Sequence, residues 1–183
     1  MPLLIALGVI ILLFVFFAIA TYNKLATARQ LIKEAFAGID TMLKKRFDMV
    51  PNLVETVKGY AKHESEVFEK IAQLRSGYMN AQTQDEKMEV ANQFSSTLKT
   101  LFAVAENYPE LKANTNFQQL QTTLETMETE IANSRKYYNG TVRNYNTSLV
   151  TFPQNILAGM FGFREEKYFE TPEEERQNVS VKF

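Results

Sequence analysis

The 183-residue chain has no cysteine, one histidine, seven glycines and five prolines. The missing cysteine excludes a disulfide framework, a thiol nucleophile, a Cys-ligated metal and a lipidated-cysteine anchor. The lone histidine, His63, leaves "HESEV" without the second imidazole of a zincin helix. Glu64, Glu66, Glu125, Glu128 and Glu130 likewise offer no Glu-x-x-His pair of the di-iron bundle type. Neither sign of charge dominates: 20 Lys and Arg stand against 21 Asp and Glu, a net charge of −1. The basic field that general nucleic-acid binding needs is therefore absent. No Gly/Ser linker divides the chain, and no period-two alternation marks a strand. There is no G-x-S-x-G, P-loop or G-x-G-x-x-G motif, and "GMFG" at 159–162 is too short to signal a nucleotide site.

What is present begins with a long apolar run. Leu3 to Ala20, "LLIALGVIILLFVFFAIA", holds no polar residue. As a helix, at ~1.5 Å per residue, it is about 27 Å long, near the hydrocarbon thickness of a bilayer. We therefore expect residues 1–21 to form a transmembrane anchor. Leu3, Phe14 and Phe17 then face lipid, and Tyr22 sits at the interface, where amphipathic aromatics collect. A cleavable signal peptide is the rival reading, since "AIA" at 18–20 has the small-x-small form of a cleavage site. Against it stand the missing basic n-region and an apolar run longer than the roughly 7–15 residues of a signal core. Basic residues set the orientation. None precedes the span, while Lys24, Arg29, Lys33, Lys44, Lys45 and Arg46 follow it, against Glu34 and Asp40. The positive-inside rule then places the C-terminal bulk in the cytoplasm and a short N-terminus outside.

Beyond the span, apolar residues recur at 3-4 spacing, the mark of helices packed along a left-handed, coiled-coil-like seam. One fixed frame from Phe36 to Tyr78 is apolar or aromatic at every position except Arg46 and Glu64. The frame passes Pro51 without a phase shift. A break there would make Val50 the N-cap, and valine has no side-chain acceptor for that role. We expect one helix over 21–80, kinked at Pro51, with seam packing offsetting the ~3 kcal/mol that an interior proline costs. A turn at "NAQTQDE" leads, through a Thr83/Glu86 capping box, to a second helix. It carries Ala91, Phe94, Leu98, Leu101, Ala105 and Tyr108 and stops at Pro109. Asn114 or Thr115 caps a third helix, which runs from Phe117 to Phe152–Pro153. Its second half alternates small hydroxyl residues with rings (Ser134, Tyr138, Thr141, Tyr145, Ser148), a pattern that interdigitates well between helices. The apolar "NILAGMFGF" of 155–163 supplies a short fourth element. The fold class is thus all-α. A transmembrane helix is followed, over residues 22–163, by a long antiparallel bundle of three principal helices plus the short fourth. Residues 164–183, including "TPEEERQ", read as a mobile polar tail.

Few residues look chemical. His63 lies off the seam and reads as a surface histidine. Arg46 and Glu64 lie on it, about 27 Å apart along a helix, too far to pair with each other. Each needs a partner from another helix or a wet edge, and lone seam charges more often fix register than act on a substrate. "KYYNGTVRNYN" at 136–146 interleaves rings and cations as single-strand binders do. Its Tyr138 and Tyr145, however, share one helical stripe at the spacing of buried packing. Asn139, Asn146 and Asn178 open Asn-x-Ser/Thr triplets and are read as chance. For 155–163 two readings stay open: the stretch docks over the end of the bundle, or Ile156, Leu157, Met160, Phe161 and Phe163 touch lipid or a partner. No catalytic, cofactor-binding or metal-ligating residue is identified.

Several stretches together resemble one family. "YNKL" directly after an N-terminal span, "EAFAGIDTMLKKRFDMVPNLVETVKGYAKHE", "ENYPELKAN", "RKYYNGTVRNYN", and "FPQNILAGMFGF" followed by "YF" are similar, in order and spacing, to the LemA family of bacterial membrane-anchored helical proteins. The likeness runs from Tyr22 to near Phe169. It implies a transmembrane helix in the bacterial cytoplasmic (inner) membrane with its short N-terminus outside, and an antiparallel α-helical bundle. A magnetosome-associated relative linked to membrane invagination implies a structural role. The resemblance carries over no catalytic residue; Pro51, Asn52, Tyr60, His63, Glu64, Tyr138 and Asn139 serve packing or a shared partner surface. We therefore expect no enzyme and no cofactor, but a scaffold in the lipid bilayer that forms homo-oligomers or binds other membrane proteins, and no nucleic acid. The alternative is a tethered adaptor or sensor that presents its distal end and C-terminal tail to a signalling or protease partner. A hydrolase built on bundle carboxylates has the least support, since no constellation meets the geometry of a site.

Overall fold

The computed structural model of the chain describes residues 1–61 and 64–170. The readings of His63, of Asn178 and of "TPEEERQ" lie outside the described residues. Among the described residues all regular structure is helical: α1 (Pro2–Lys58), α2 (Ser65–Asn80), α3 (Gln84–Ala105), α4 (Pro109–Lys112), α5 (Thr115–Val150) and α6 (Gln154–Met160). The chain forms two compact units. The first joins Met1–Ala37 with Ser134–Tyr168, the second Gly38–Asn133 with Phe169 and Glu170.

In the first unit α1 begins as exposed apolar helix, with an 18-residue window of mean hydropathy 3.3 of which nothing is buried. From Thr21 its character changes. Thr21, Leu25, Ile32, Ala35 and Phe36 are buried, at the spacing that puts them on one face. The second half of α5 packs on that face, burying Tyr138, Thr141, Val142 and Tyr145, and the rings of Phe36 and Tyr138 meet edge-on at 5.9 Å. Leu157 and Ala158 of α6 are buried too. Helix α6 ends in a Schellman motif. Gly162 takes φ 72°, Phe163 N–H donates to the Ala158 carbonyl at 3.0 Å, and Gly162 N–H donates to the Gly159 carbonyl at 3.2 Å. Glycine enters that left-handed conformation without a Cβ penalty. Beyond the turn, Phe161 and Phe163 both lie against the Tyr22 ring, with centroids 5.2 and 5.6 Å away.

In the second unit α1 continues through Pro51 to Lys58. Val50, Leu53 and Val57, around the proline, are all buried. Each such side chain contributes about 1.5–3 kcal/mol, enough together to offset the lost backbone bond. The chain leaves the helix only at Gly59, and α2 starts at Ser65. The expected single helix over 21–80 is therefore corrected at both ends: it begins inside the apolar span and stops at Lys58. Gly59, about 1 kcal/mol poorer than alanine in a helix, stands at the exit. The buried frame slips by one residue at this turn and not at Pro51, to Ala61 and Phe68, and is regained at Ile71, Leu74 and Tyr78. Ala61 is buried where the fixed frame places Tyr60, which is exposed and accepts a hydrogen bond from Asn114 Nδ2 at 3.0 Å.

The long helices of this unit are consequently four, α1, α2, α3 and α5, where the sequence suggests three. They alternate in direction. Phe47 of α1 stacks on Tyr78 near the end of α2 at 4.4 Å, and Phe102 near the end of α3 faces Phe117 near the start of α5 at 6.3 Å. The Thr83/Glu86 capping box is present, with Thr83 Oγ1 accepting from Glu86 N–H at 3.2 Å and the Glu86 carboxylate accepting from Thr83 N–H at 3.3 Å. Helix α3 ends at Ala105, and Pro109 opens α4 instead of stopping α3. Asn114 caps α5 by accepting from the N–H groups of Asn116 and Phe117 at 2.9 and 3.1 Å. Phe169 is buried, and Asn92 Nδ2 donates to the Glu170 carbonyl at 3.0 Å. The tail that the sequence begins at Arg164 is thus held as far as Glu170.

Candidate functional site

Arg46 lies on the buried face of α1 in the second unit, fully inside. Its Nη1 donates to Ser95 Oγ at 2.8 Å and to the Glu128 carboxylate, and its Nη2 donates to the Ala91 carbonyl at 3.2 Å. The guanidinium carbon stands 4.9 Å from the centroid of the Phe94 ring and 5.7 Å from that of Phe47. Burial pulls the guanidinium below its ordinary pKa, and Glu128 works against that shift. Arginine remains protonated in either case. Glu128 keeps 38% of its side chain exposed, so one end of the pair stays hydrated. A planar fork bound to α3 and α5 at once fixes the heights of both helices against α1. The partner that the seam position demands is therefore Glu128. Nη1 engages both the Ser95 hydroxyl and the Glu128 carboxylate, while the buried Nε of Arg46 has no hydrogen-bond partner among the described residues.

A second polar cluster belongs to the same unit. Asp40 accepts from Lys87 Nζ at 2.8 and 3.0 Å and from the Tyr78 hydroxyl at 2.5 Å. Burial alone would raise the Asp40 carboxyl. The hydrogen bonds from Lys87 and Tyr78, with the charges of Lys87 and Lys44, outweigh it and hold the group below its usual value. Tyr78 moves upward, through burial and its bond to a carboxylate. Glu64 is half-buried and accepts a long 3.4 Å hydrogen bond from Tyr108.

The first unit uses polar groups differently. Residues 164–167 have no regular secondary structure, so side chains take the place of a ladder. Tyr138 OH donates to the Lys167 carbonyl and Tyr145 OH to the Arg164 carbonyl, both at 3.0 Å. Asn146 holds both backbone groups of Glu166, donating to its carbonyl at 2.9 Å and accepting from its N–H at 3.0 Å. Arg29 Nε adds a 3.0 Å bond to the Glu166 carboxylate. Burial raises the Tyr145 phenol. The motif "KYYNGTVRNYN" is therefore packing in the rings of Tyr138 and Tyr145 and a clamp in its polar tips, while Tyr137 is exposed. The available signal was tyrosine instead of phenylalanine at buried positions, because a buried phenol needs a partner. Asn146, read as a chance triplet, carries two of the clamp's bonds.

The sequence-derived surface residues divide. Leu3 and Phe14 are exposed, Phe17 is partly covered, and Tyr22 is half-exposed beside Phe161 and Phe163. In 155–163 the candidates part company: Leu157 belongs to the core, Phe163 is half-buried, and Ile156, Met160 and Phe161 stay exposed. Among the described residues no group of three or more His, Cys, Asp or Glu is placed to hold a metal ion. A surface depression of about 530 Å³ is lined by Thr115, Gln118, Gln119, Thr122 and Thr123, all on α5 and none ionisable.

Comparison with known proteins agrees with these features. A family model described as "LemA family" matches residues 35–183. A protein named LemA from Metamycoplasma hominis is 27% identical over 170 residues, which cover 92% of this chain and 78% of the relative. The magnetosome protein MamQ 2 of Paramagnetospirillum magneticum is 35% identical over 77 residues, 42% of this chain but 28% of the relative's length. The magnetosome protein MamQ of Magnetospirillum gryphiswaldense is 32% identical over 76 residues, with the same shares. The match to the magnetosome proteins is thus confined to a minor part of their length. With most of its residues matched by the family model, the chain belongs to the LemA family.

Proposed function

We propose that the protein is a membrane-anchored, non-enzymatic scaffold that self-associates or binds other membrane proteins, and so organises or shapes the membrane. Its C-terminal bulk lies in the cytoplasm. The observation that carries this reading is α1. One uninterrupted helix leads from the exposed apolar stretch into the buried face of Leu25, Ile32 and Phe36. A helix without a break has no soft joint, so load on the packed region is passed to the span. Inside lipid, a helix also satisfies its own backbone groups. The engagement of Arg46 with Ser95 and Glu128 supports a packing role for the buried charge. Relatives named as magnetosome proteins support a role at a membrane.

Cross-linking in native membranes tests the scaffold: oligomers or partner bands are expected, and monomer alone overturns it. Orientation is tested with Ala132→Cys, an exposed position in a chain without native cysteine. A membrane-impermeant thiol reagent that labels it in intact cells, with any outer membrane permeabilised, reverses the cytoplasmic placement. The adaptor alternative predicts that the end of the chain recruits a partner. Because Leu157 and Phe169 are core residues, the informative truncation removes only residues 171–183. A scaffold still assembles after that cut, whereas an adaptor loses its partner.

A further inference from the structure

The segment from Phe152 to Phe163 has two faces, and only one is used within the chain. Leu157 and Ala158 are buried. Ile156 and Met160, four apart on one side of α6, are exposed by 56% and 72%; Phe152, in the turn before the helix, is exposed by 76%, and Phe161, just after it, by 45%. Thr151 to Phe163 contains no charged residue. So dense an apolar face on a short helix is not explained by the packing of its own unit.

The intramolecular contacts fix where this face lies. Phe161 and Phe163 both meet the ring of Tyr22. Tyr22 follows the apolar run by only two residues, about 3 Å of helix rise past Ala20. The exposed face therefore lies at the depth where α1 leaves the hydrocarbon. The Schellman turn at Gly162 and the clamp on residues 164–167 hold it there. Two exposed cations flank the level, Lys24 just beyond Tyr22 and Arg164 just beyond Phe163. Phosphate headgroups favour cations at that position.

We propose that this face is a membrane-contact site, with Phe152, Ile156, Met160 and Phe161 inserted at the boundary between headgroups and acyl chains of the bilayer that α1 crosses. The occupant is lipid because lipid is already present at the depth set by the Tyr22 contact, whereas a protein partner would have to displace it. With Leu157 and Ala158 packed on the protein, the exposed apolar side chains gain by leaving water for the acyl-chain boundary. The site makes the anchor two-point: the span fixes depth, and α6 resists tilting of the packed unit about the span. The inference rests on the anchor reading above, and its test separates the two.

The chain has no tryptophan, so a single introduced one reports alone. The full chain would be reconstituted into phosphatidylcholine/phosphatidylglycerol vesicles carrying phosphatidylcholine brominated on its acyl chains. Met160→Trp and Ile156→Trp are two independent reporters at exposed positions, each checked for unchanged helix content by circular dichroism. Phe14→Trp reports the span. Tyr137→Trp, exposed beside the Phe36 level of α1, about 24 Å of rise beyond Ala20, reports the region away from lipid. Met160→Trp and Ile156→Trp are expected to emit at shorter wavelength and to be quenched at least about twofold more than Tyr137→Trp, most strongly by bromines near the headgroups. Quenching of both no greater than that of Tyr137→Trp, with Phe14→Trp strongly quenched, overturns the contact site and leaves the anchor standing. An unquenched Phe14→Trp overturns the anchor and this proposal with it.

Discussion

The two units place their polar side chains in opposite ways. In the one containing Gly38–Asn133, a full charge is driven inside: Arg46 sits beside Phe47 and Phe94 and is tied to Ala91, Ser95 and Glu128. In the other, neutral tips on Tyr138, Tyr145 and Asn146 satisfy the backbone of residues 164–167. A guanidinium that joins helices specifies which residues must stand opposite it. A clamp on carbonyl groups accepts almost any sequence in the segment it holds. Polar residues in the first case set helix register, and in the second they hold an irregular segment in place.

The difference predicts unequal consequences of single substitutions. Arg46→Ala removes a wholly buried side chain and leaves Ser95 Oγ and Glu128 without their donor, though the Ala91 carbonyl still accepts from Ser95, at an expected cost of about 3 kcal/mol in urea unfolding followed by circular dichroism. Arg46→Met keeps the apolar stem and volume, and Glu128 can turn to solvent, so its expected cost is under about 1.5 kcal/mol. Equal costs for the two variants would show that the charge itself, and not the filled volume, holds the helices together. Asn146→Ala removes two bonds to the Glu166 backbone at about 1 kcal/mol each. Amide exchange of residues 164–167 should accelerate, while the amides of α2 and α3 keep their protection. Arg164→Ala, at an exposed position held through its carbonyl by Tyr145, should change stability by less than about 0.5 kcal/mol. A larger loss would mean that the clamp reads side chains after all.

Much of the architecture is legible because helix periodicity and capping are local. The 3-4 spacing marks α1, α3 and α5, and the cap residues Thr83, Glu86 and Asn114 are visible within four positions of what they bind. Pro51 is correctly placed inside a helix because the buried frame runs through it unshifted. The exit at Gly59 is hidden because Tyr60 stands in the apparent frame and Ile71, Leu74 and Tyr78 of α2 resume it beyond the turn. The site residues are less legible. Arg46 visibly needs a partner, but Glu128 is 82 residues away and lies on α5 between the buried Leu124 and Ile131. Asn146 binds backbone atoms, which leave no trace in the identity of residue 166. Helix α6 has seven residues, too few for periodicity to separate buried Leu157 from exposed Ile156.

The weakest expected effect concerns Asp40, which shares with Arg46 the habit of joining α1 to α3 but does so nearer the surface. Its side chain is 36% exposed, and solvent screens its pairing with Lys87. The folded carboxyl titrates below its unfolded counterpart. The unfolded state therefore takes up the proton first as pH falls, and the pair's contribution is complete above the ordinary aspartate value of about 3.9. It is lost as pH drops through the lower folded value. Stability between pH 7 and about 5 should be insensitive to this group, with a decline confined to the acid limb below about pH 4. Lys87→Met removes the leading stabiliser of the ionised form and should make that limb shallower, while Arg46→Met should leave its slope unchanged because arginine does not titrate there. An Asp40→Asn chain with the wild-type acid slope would assign the limb to other carboxylates. The distinction between a titrating link at the rim of the second unit and a permanent one in its core would then lose its support.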